Sequence, residues 1–344
     1  MMNWIDRAIS LNIIPIWLYR IIIRFLISKK IKSETTLFKR RGRNNQSMIT
    51  FLSKGPIATH THEANEQHYC VPPHFFQSVL GPHLKYSCCY WDKTCDSLSE
   101  AELAMLELSI ERSKIEDGHT ILELGCGWGS LTLLMAKKFP NSSILAMSNS
   151  SEQKQYIEEQ LTINDMSNVQ VITENIADFC PDQTFDRIVS IEMFEHLSNY
   201  KLLFEKLNTW LNYDGYIFVH IFGHKYISYP FVNKSSTDWM ARHFFSGGVM
   251  PSESLFTYFE NELLIANKWR VNGVHYQKTA NAWLKNLVEK KQDLFMLFKD
   301  TYGPSELKQK WSGWVVFFIA CAELFGFNKG NDYMVFHYLI RKKI

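Results

Sequence analysis

The segment TILELGCGWGSLTLLMAKKF, residues 120–139, places three glycines within five positions, between an apolar run and a helical repeat. Glycine loses more backbone freedom on folding than any other residue, so this cluster needs a local reason. Thr120–Leu124 reads as a buried strand of a parallel sheet. Leu131, Leu134, Met135 and Phe139 recur at helical spacing. Gly125, Gly127 and Gly129 therefore occupy a strand-to-helix turn, where backbone can approach a ligand closely. The spacing is not the dinucleotide fingerprint G-x-G-x-x-G, because Gly129 follows Gly127 by two positions and residue 130 is serine. An ordinary tight turn is the plain alternative.

From the EDGHT turn onward, strands and helices alternate. Strands are expected at 120–124, 142–148, 169–173, 185–191 and 215–222, with helices at 129–138, 151–162 and 199–211. This succession predicts an α/β fold with a doubly wound, mostly parallel, Rossmann-like sheet and ligands at the carboxyl ends of its strands. Beyond about residue 225 the chain turns helical and aromatic, in WMARHFF, NAWLKNL and WSGWVVFFIACAELFGF. YMVFHYLIRKK then reads as a last strand returning to the sheet. Trp239, Phe244, Phe245, Trp283, Trp311 and Trp314 either wall an acceptor pocket or form core.

The 344 residues allow a core domain plus a substantial extension. The expected division is a helical extension over 1–60 and a catalytic domain over 61–344, with a largely helical acceptor region at 225–330. A net charge of +2 leaves no electrostatic footprint for nucleic acid. Seven cysteines without a C-x-x-C pattern suit free thiols in a reducing cytoplasm. The stretch SLNIIPIWLYRIIIRFLISKK, residues 10–30, is interrupted by Pro15, Arg20 and Arg24, which argues against a membrane span. An amphipathic helix packed on the catalytic domain is preferred. Contact with a membrane surface through Trp17, Ile21 and Phe25 beside a basic face is the second reading. Residues 28–48, rich in Lys, Arg and Ser, read as a polar linker or exposed segment. A homodimer is left open.

The spacing E-x-G-x-G-x-G resembles motif I of class I S-adenosylmethionine-dependent methyltransferases. That resemblance implies S-adenosylmethionine as cofactor, with Glu123 supporting the turn and Gly125, Cys126 and Gly127 passing beneath the ligand. An acid that commonly follows the second strand of such proteins is missing here. Asn149 and Gln153 stand there for the ribose, and Asn175 and Ile176 for adenine, although the asparagines also suit plain turns. Further segments, ANEQHYCVPPHFFQSVLGPHLKYSCCYW, RIVSIEMFEHLSNY, FVHIFGHK and GVHYQKTANAW, resemble the cyclopropane-fatty-acid synthase superfamily. Within it they are most similar to the coclaurine N-methyltransferase branch. The match implies that Tyr86 and Ser87 also border the cofactor.

Glu192, Glu195 and His196 follow a strand end, and one helical turn would cluster all three. A histidine flanked by carboxylates makes a general base near neutral pH. A protonated amine must lose a proton before its nitrogen can attack a methyl sulfonium, and carboxylates attract its ammonium form. The resemblance implies this use of the three residues on a small, benzylisoquinoline-like amine. The synthase branch instead acts on an unsaturated phospholipid with a bound bicarbonate, for which it implies Cys88, Glu195, His220 and Tyr276. Glu192 stands where synthases commonly carry glycine, and a further carboxylate suits a cation better than an anion beside an alkene. Cys88 reads equally as a buried structural thiol. No metal is implied. Binding of cofactor or a partner without turnover is a third reading.

Overall fold

Ile121, Leu122 and Leu124 are wholly buried, as a central parallel strand requires. They belong to the first of five parallel strands: β1 (Thr120–Leu124), β2 (Ser143–Ser148), β3 (Val169–Thr173), β4 (Phe185–Ile191) and β5 (Leu211–His224). A small ribbon, β6 (Tyr229–Pro230) with β7 (Val249–Met250), follows. Then β8 (Leu263–Val271) and β9 (Tyr333–Lys342) complete the main sheet in antiparallel fashion. The seven-stranded order is β3-β2-β1-β4-β5-β9-β8, so the chain reverses direction across the sheet between β1 and β4. The loops leaving those two strands meet at the crevice where α/β sheets bind ligands. The computed structural model describes residues 9, 14–40, 46–58, 71–232, 239–245 and 247–343.

Helices α1 (Ile16–Arg40), α2 (Gln46–Phe51), α3 (Pro73–Val79) and α4 (Leu98–Ser113) precede the sheet. Ser97 caps α4 in a capping box with Glu100. Helices α5 (Ser130–Lys138), α6 (Ser151–Ile163) and α7 (Tyr200–Trp210) connect the parallel strands. After them come α8 (Trp239–His243), α9 (Gly273–Glu289), α10 (Lys291–Tyr302) and α11 (Leu307–Gly326). One apolar cluster joins α3, α9, α10 and α11 through Phe75, Phe76, Trp283, Phe298 and Trp314. Among the described residues only Leu307–Gly330 is long and apolar enough to cross a membrane, and 72% of its apolar window is buried inside the fold.

Two expectations are corrected. Residues 28–40 are not a linker: α1 runs unbroken to Arg40, and residues 41–45 lie outside the described residues. No Pro or Gly interrupts 16–41, Ile27 is buried, and Lys30 pairs with Glu34 at i,i+4 over 3.0 Å. The second is β8, which lies inside the stretch read as helical. Its residues LLIANKWRV do not alternate cleanly, because a bulge between Ile265 and Asn267 shifts the phase on this edge strand. The domain boundary expected near residue 60 falls outside the described residues, as do 64–70.

α1 lies against α11, as the amphipathic reading expected. Arg20 donates to Glu323 Oε1 at 2.6 Å and to Asn281 Oδ1 at 2.7 Å, and Arg24 Nε also meets Glu323. The Glu323 side chain is 2% exposed, whereas those of Arg20 and Arg24 are 27% and 60% exposed. Removing the cations should therefore cost more than removing the anion, because only the anion is left stranded away from water. Arg20→Met combined with Arg24→Met is expected to destabilise by about 3 kcal/mol. Glu323→Gln should cost about 1 kcal/mol, since hydrated arginines lose little. Urea denaturation of both variants measures the asymmetry, and equal losses would refute it.

Candidate active site

The turn after β1 is tied to β2 by two bonds, from Gly125 N and Cys126 N, to Met147 O at 2.9 Å each. Gly125, Gly127 and Gly129 adopt φ of +75°, +54° and +79°, a region that side chains with Cβ disfavour. They differ in what a side chain would meet. A Cβ on Gly125 would lie 2.8 Å from Met193 Sδ, and one on Gly129 2.7 Å from Ile157 Cγ1. A Cβ on Gly127 would meet nothing within 4 Å. The outer glycines let neighbouring elements close up, and the middle one keeps a cradle open. S-adenosylmethionine fits that cradle.

Glu123 lies on β1 and accepts from Thr132 Oγ1 of α5 at 2.6 Å. Burial pushes its carboxyl up to about 8. Gln153 is 2% exposed, and its Oε1 accepts from Ser148 Oγ at 2.7 Å, so that amide oxygen braces the strand end. Asn149 lies between this pair and Ser150, the N-cap of α6. Asn175 Oδ1 accepts from Ala177 N at 3.0 Å, the turn-forming role weighed for it. Ile176 is buried in the cluster that holds Leu122, Leu124 and Met147. Tyr86 packs on Phe76 and Trp283 at 5.1 and 5.6 Å between ring centres. The buried Ser87 hydroxyl accepts from Lys85 Nζ, which also reaches Cys88 O at 2.9 Å.

At the end of β4 the expected helical turn does not form around Glu192. Only Phe194–His196 makes a single 3₁₀ turn, and Glu192 stands before it at φ +48°. Such backbone costs free energy in a non-glycine residue and persists where the surroundings over-determine it. Here two donors and a histidine nitrogen fix the side chain. Cys88 N donates to Glu192 Oε1 at 2.9 Å, Tyr276 OH to Oε2 at 2.6 Å, and His220 Nε2 lies 3.2 Å from Oε1. Cys88 thus contributes its backbone amide, while its thiol, pushed up by burial, faces Cys89 O at 3.3 Å. Burial raises the Glu192 carboxyl; Lys85, the Cys88 amide, Tyr276 and His196 oppose that rise.

Glu195 is fully buried, and neither carboxyl oxygen has a hydrogen-bond partner among the described residues. Burial first, and the Glu192 charge second, hold its carboxyl well above the usual range. His196 is partly exposed and stacks on Phe245 with ring centres 5.8 Å apart. The next residue back, Phe244, lines a cavity of about 260 Å³ with Trp239, Trp314 and Arg242. Trp283 and Trp311 are core, at 1% and 3% exposed. The structure thus joins Cys88, His220 and Tyr276 to Glu192, with Glu195 and His196 within its electrostatic reach.

Three residues escaped the sequence reading: Lys85, Arg112 and His337. Lys85 is fully buried beside Ser87. His337 faces His220 across the β5–β9 pair, a match visible only once the strands are in register. Arg112 NH1 reaches His337 Nδ1 at 2.8 Å from the last turn of α4. Among the described residues no group of His, Cys, Asp and Glu is arranged to hold a metal ion.

The family model described as mycolic acid cyclopropane synthetase matches residues 58–333. The chain is 38% identical to an (S)-coclaurine N-methyltransferase of Thalictrum flavum subsp. glaucum over 85% of this chain and 82% of that one. It is 32% identical to an (S)-coclaurine N-methyltransferase of Papaver somniferum, over 98% and 97%. Among solved structures, coclaurine N-methyltransferase bound to N-methylheliamine and S-adenosylhomocysteine superposes with a TM-score of 0.94 at 33% identity, covering 98% of this chain and 99% of that one.

Proposed function

We propose that this chain, which belongs to the mycolic acid cyclopropane synthetase family and is an S-adenosylmethionine-dependent methyltransferase, methylates the nitrogen of a small, coclaurine- or benzylisoquinoline-like amine. One observation carries the choice of acceptor. Cys88 N–H, His220 and Tyr276, which the synthase resemblance implies for a bicarbonate, converge on the carboxylate of Glu192. A protein anion thus takes the place of a soluble one. Beside it, Glu195 is a second buried carboxyl with both oxygens unpartnered among the described residues. Two adjacent buried acids are costly alone and favourable around a cation. An ammonium meets that need, whereas an alkene does not.

S-adenosylmethionine supplies the electrophilic methyl carbon. The rest falls to the chain. Glu192 draws in the ammonium, whose charge in turn favours ionisation of Glu195 against its burial and the Glu192 charge. His196 accepts the N–H proton, which frees the nitrogen lone pair to take the methyl group. Phe245 holds the His196 ring by stacking.

Glu192→Gln tests the reading. The amide keeps shape and one acceptor oxygen but removes the charge. The KM for a coclaurine-type amine should rise about tenfold or more, the loss of a charge-assisted contact. Affinity for S-adenosylmethionine should stay within twofold, and the wild-type rate should ignore added bicarbonate. An unchanged amine KM would refute the role of Glu192.

A further inference from the structure

Four side chains form an unbroken row across the sheet, from its β8 side to the crevice. Arg112 lies over the Trp269 ring of β8 at 5.0 Å. Trp269 pairs with His337 of β9, His337 pairs with His220 of β5, and His220 pairs with Ile191 of β4, immediately before Glu192. The hydrogen bonds follow this row: Arg112 NH1 to His337 Nδ1 at 2.8 Å, His337 Nε2 to His220 Nδ1 at 3.0 Å, His220 Nε2 to Glu192 Oε1 at 3.2 Å. Both histidines are fully buried.

The direction of this chain follows from its ends. A guanidinium can only donate, so His337 Nδ1 must carry a lone pair. The proton of neutral His337 is then on Nε2, which donates to His220 Nδ1. His220 in turn holds its proton on Nε2 and donates to the carboxylate. One cation sets both tautomers.

We propose that Arg112 and His337 are positioning residues: with His220 they form a one-way hydrogen-bond chain that keeps an N–H aimed at Glu192 and so holds its carboxylate ionised and oriented for the acceptor nitrogen. The proposal deepens the amine reading and rests on it for the role of Glu192. Burial holds both histidines well below their ordinary range, which keeps the chain neutral between its charged ends. The groups facing Glu192 are Cys88, Cys89, Tyr276, Lys85, His196, Glu195 and Cys321. Lys85 and Arg112 also face both histidines, and Tyr90 and Glu111 face Arg112. Cys88 N and Tyr276 OH are already committed to the same carboxylate.

¹⁵N-histidine NMR of the wild-type protein tests the chain without turnover. Expected are neutral rings protonated on Nε2 for both His220 and His337 at pH 7.5. A charged ring, or a proton on Nδ1 of either, overturns it. Kinetics test the consequence. His337→Phe should raise the amine KM about tenfold and move the acidic limb of kcat/KM upward by about one pH unit, because Glu192 then binds its proton more tightly. Affinity for S-adenosylmethionine should be unchanged. His337→Gln, whose amide can accept from Arg112 and donate to His220, should stay within about threefold of wild type. If His337→Phe folds poorly by circular dichroism, Arg112→Met breaks the chain from its outer end and Arg112→Lys mends it. A folded breaking variant with wild-type KM and pH profile contradicts the proposal, as does a glutamine variant as impaired as phenylalanine. Failure of the wild-type enzyme to methylate any amine would strike the functional reading instead, and the NMR result would still decide the chain.

Discussion

Gly127→Val should weaken binding of S-adenosylmethionine at least 100-fold while leaving the fold intact. The wild-type residue sits at φ +54°, and a Cβ there meets no protein atom within 4 Å. The added side chain therefore projects into the cradle rather than into the core. A β-branched residue at positive φ adds backbone strain of about 1–3 kcal/mol. Its methyls fill the space the ligand needs, and a 100-fold loss corresponds to about 2.7 kcal/mol. Gly129→Val would report a different thing, because its Cβ lies 2.7 Å from Ile157 Cγ1 and would disturb helix packing first. Calorimetric titration with cofactor, alongside far-ultraviolet circular dichroism, separates the two. Affinity within a few-fold of wild type for Gly127→Val would contradict the cofactor site.

His196→Ala should lower turnover by about 10²-fold or more, the scale of a lost general base, with cofactor affinity barely changed. The sign of its pH dependence follows from the chemistry. As pH rises, bulk water deprotonates more of the amine, so the variant should recover relative to wild type. The stacking of His196 on Phe245 adds a check. Phe245→Leu should cost less than His196→Ala, because it loosens the base without removing it. A His196→Ala defect that is independent of pH, or one confined to KM, would argue against proton transfer at this ring.

Most of the frame was legible because it is written in local patterns. The glycine turn, the alternating strand and helix succession and the EMFEH segment fixed β1 to β5 and the crevice between β1 and β4. Lost were features that depend on partners distant in sequence. The bulge in β8 breaks the alternation that marks a strand, and α1 extends to Arg40 through residues whose composition resembles a linker. The local geometry expected for the site differs from the one found. Glu192, Glu195 and His196 do not share a helical turn, since Glu192 is held at positive φ by donors 84 and 104 residues away in sequence. From the sequence His337 is only part of a strand, because nothing in YMVFHYLIRKK announces its pairing with His220.

The central claim is that the acceptor is an amine and the anion of the site is built into the chain. Purified enzyme, given S-adenosylmethionine labelled in the methyl group, is offered a coclaurine-type secondary amine and an unsaturated phospholipid, each with and without bicarbonate. The account predicts label on the amine nitrogen at a rate that bicarbonate leaves unchanged, and none on lipid. Bicarbonate-dependent transfer of a labelled methylene to the phospholipid, with no amine methylated, would contradict it.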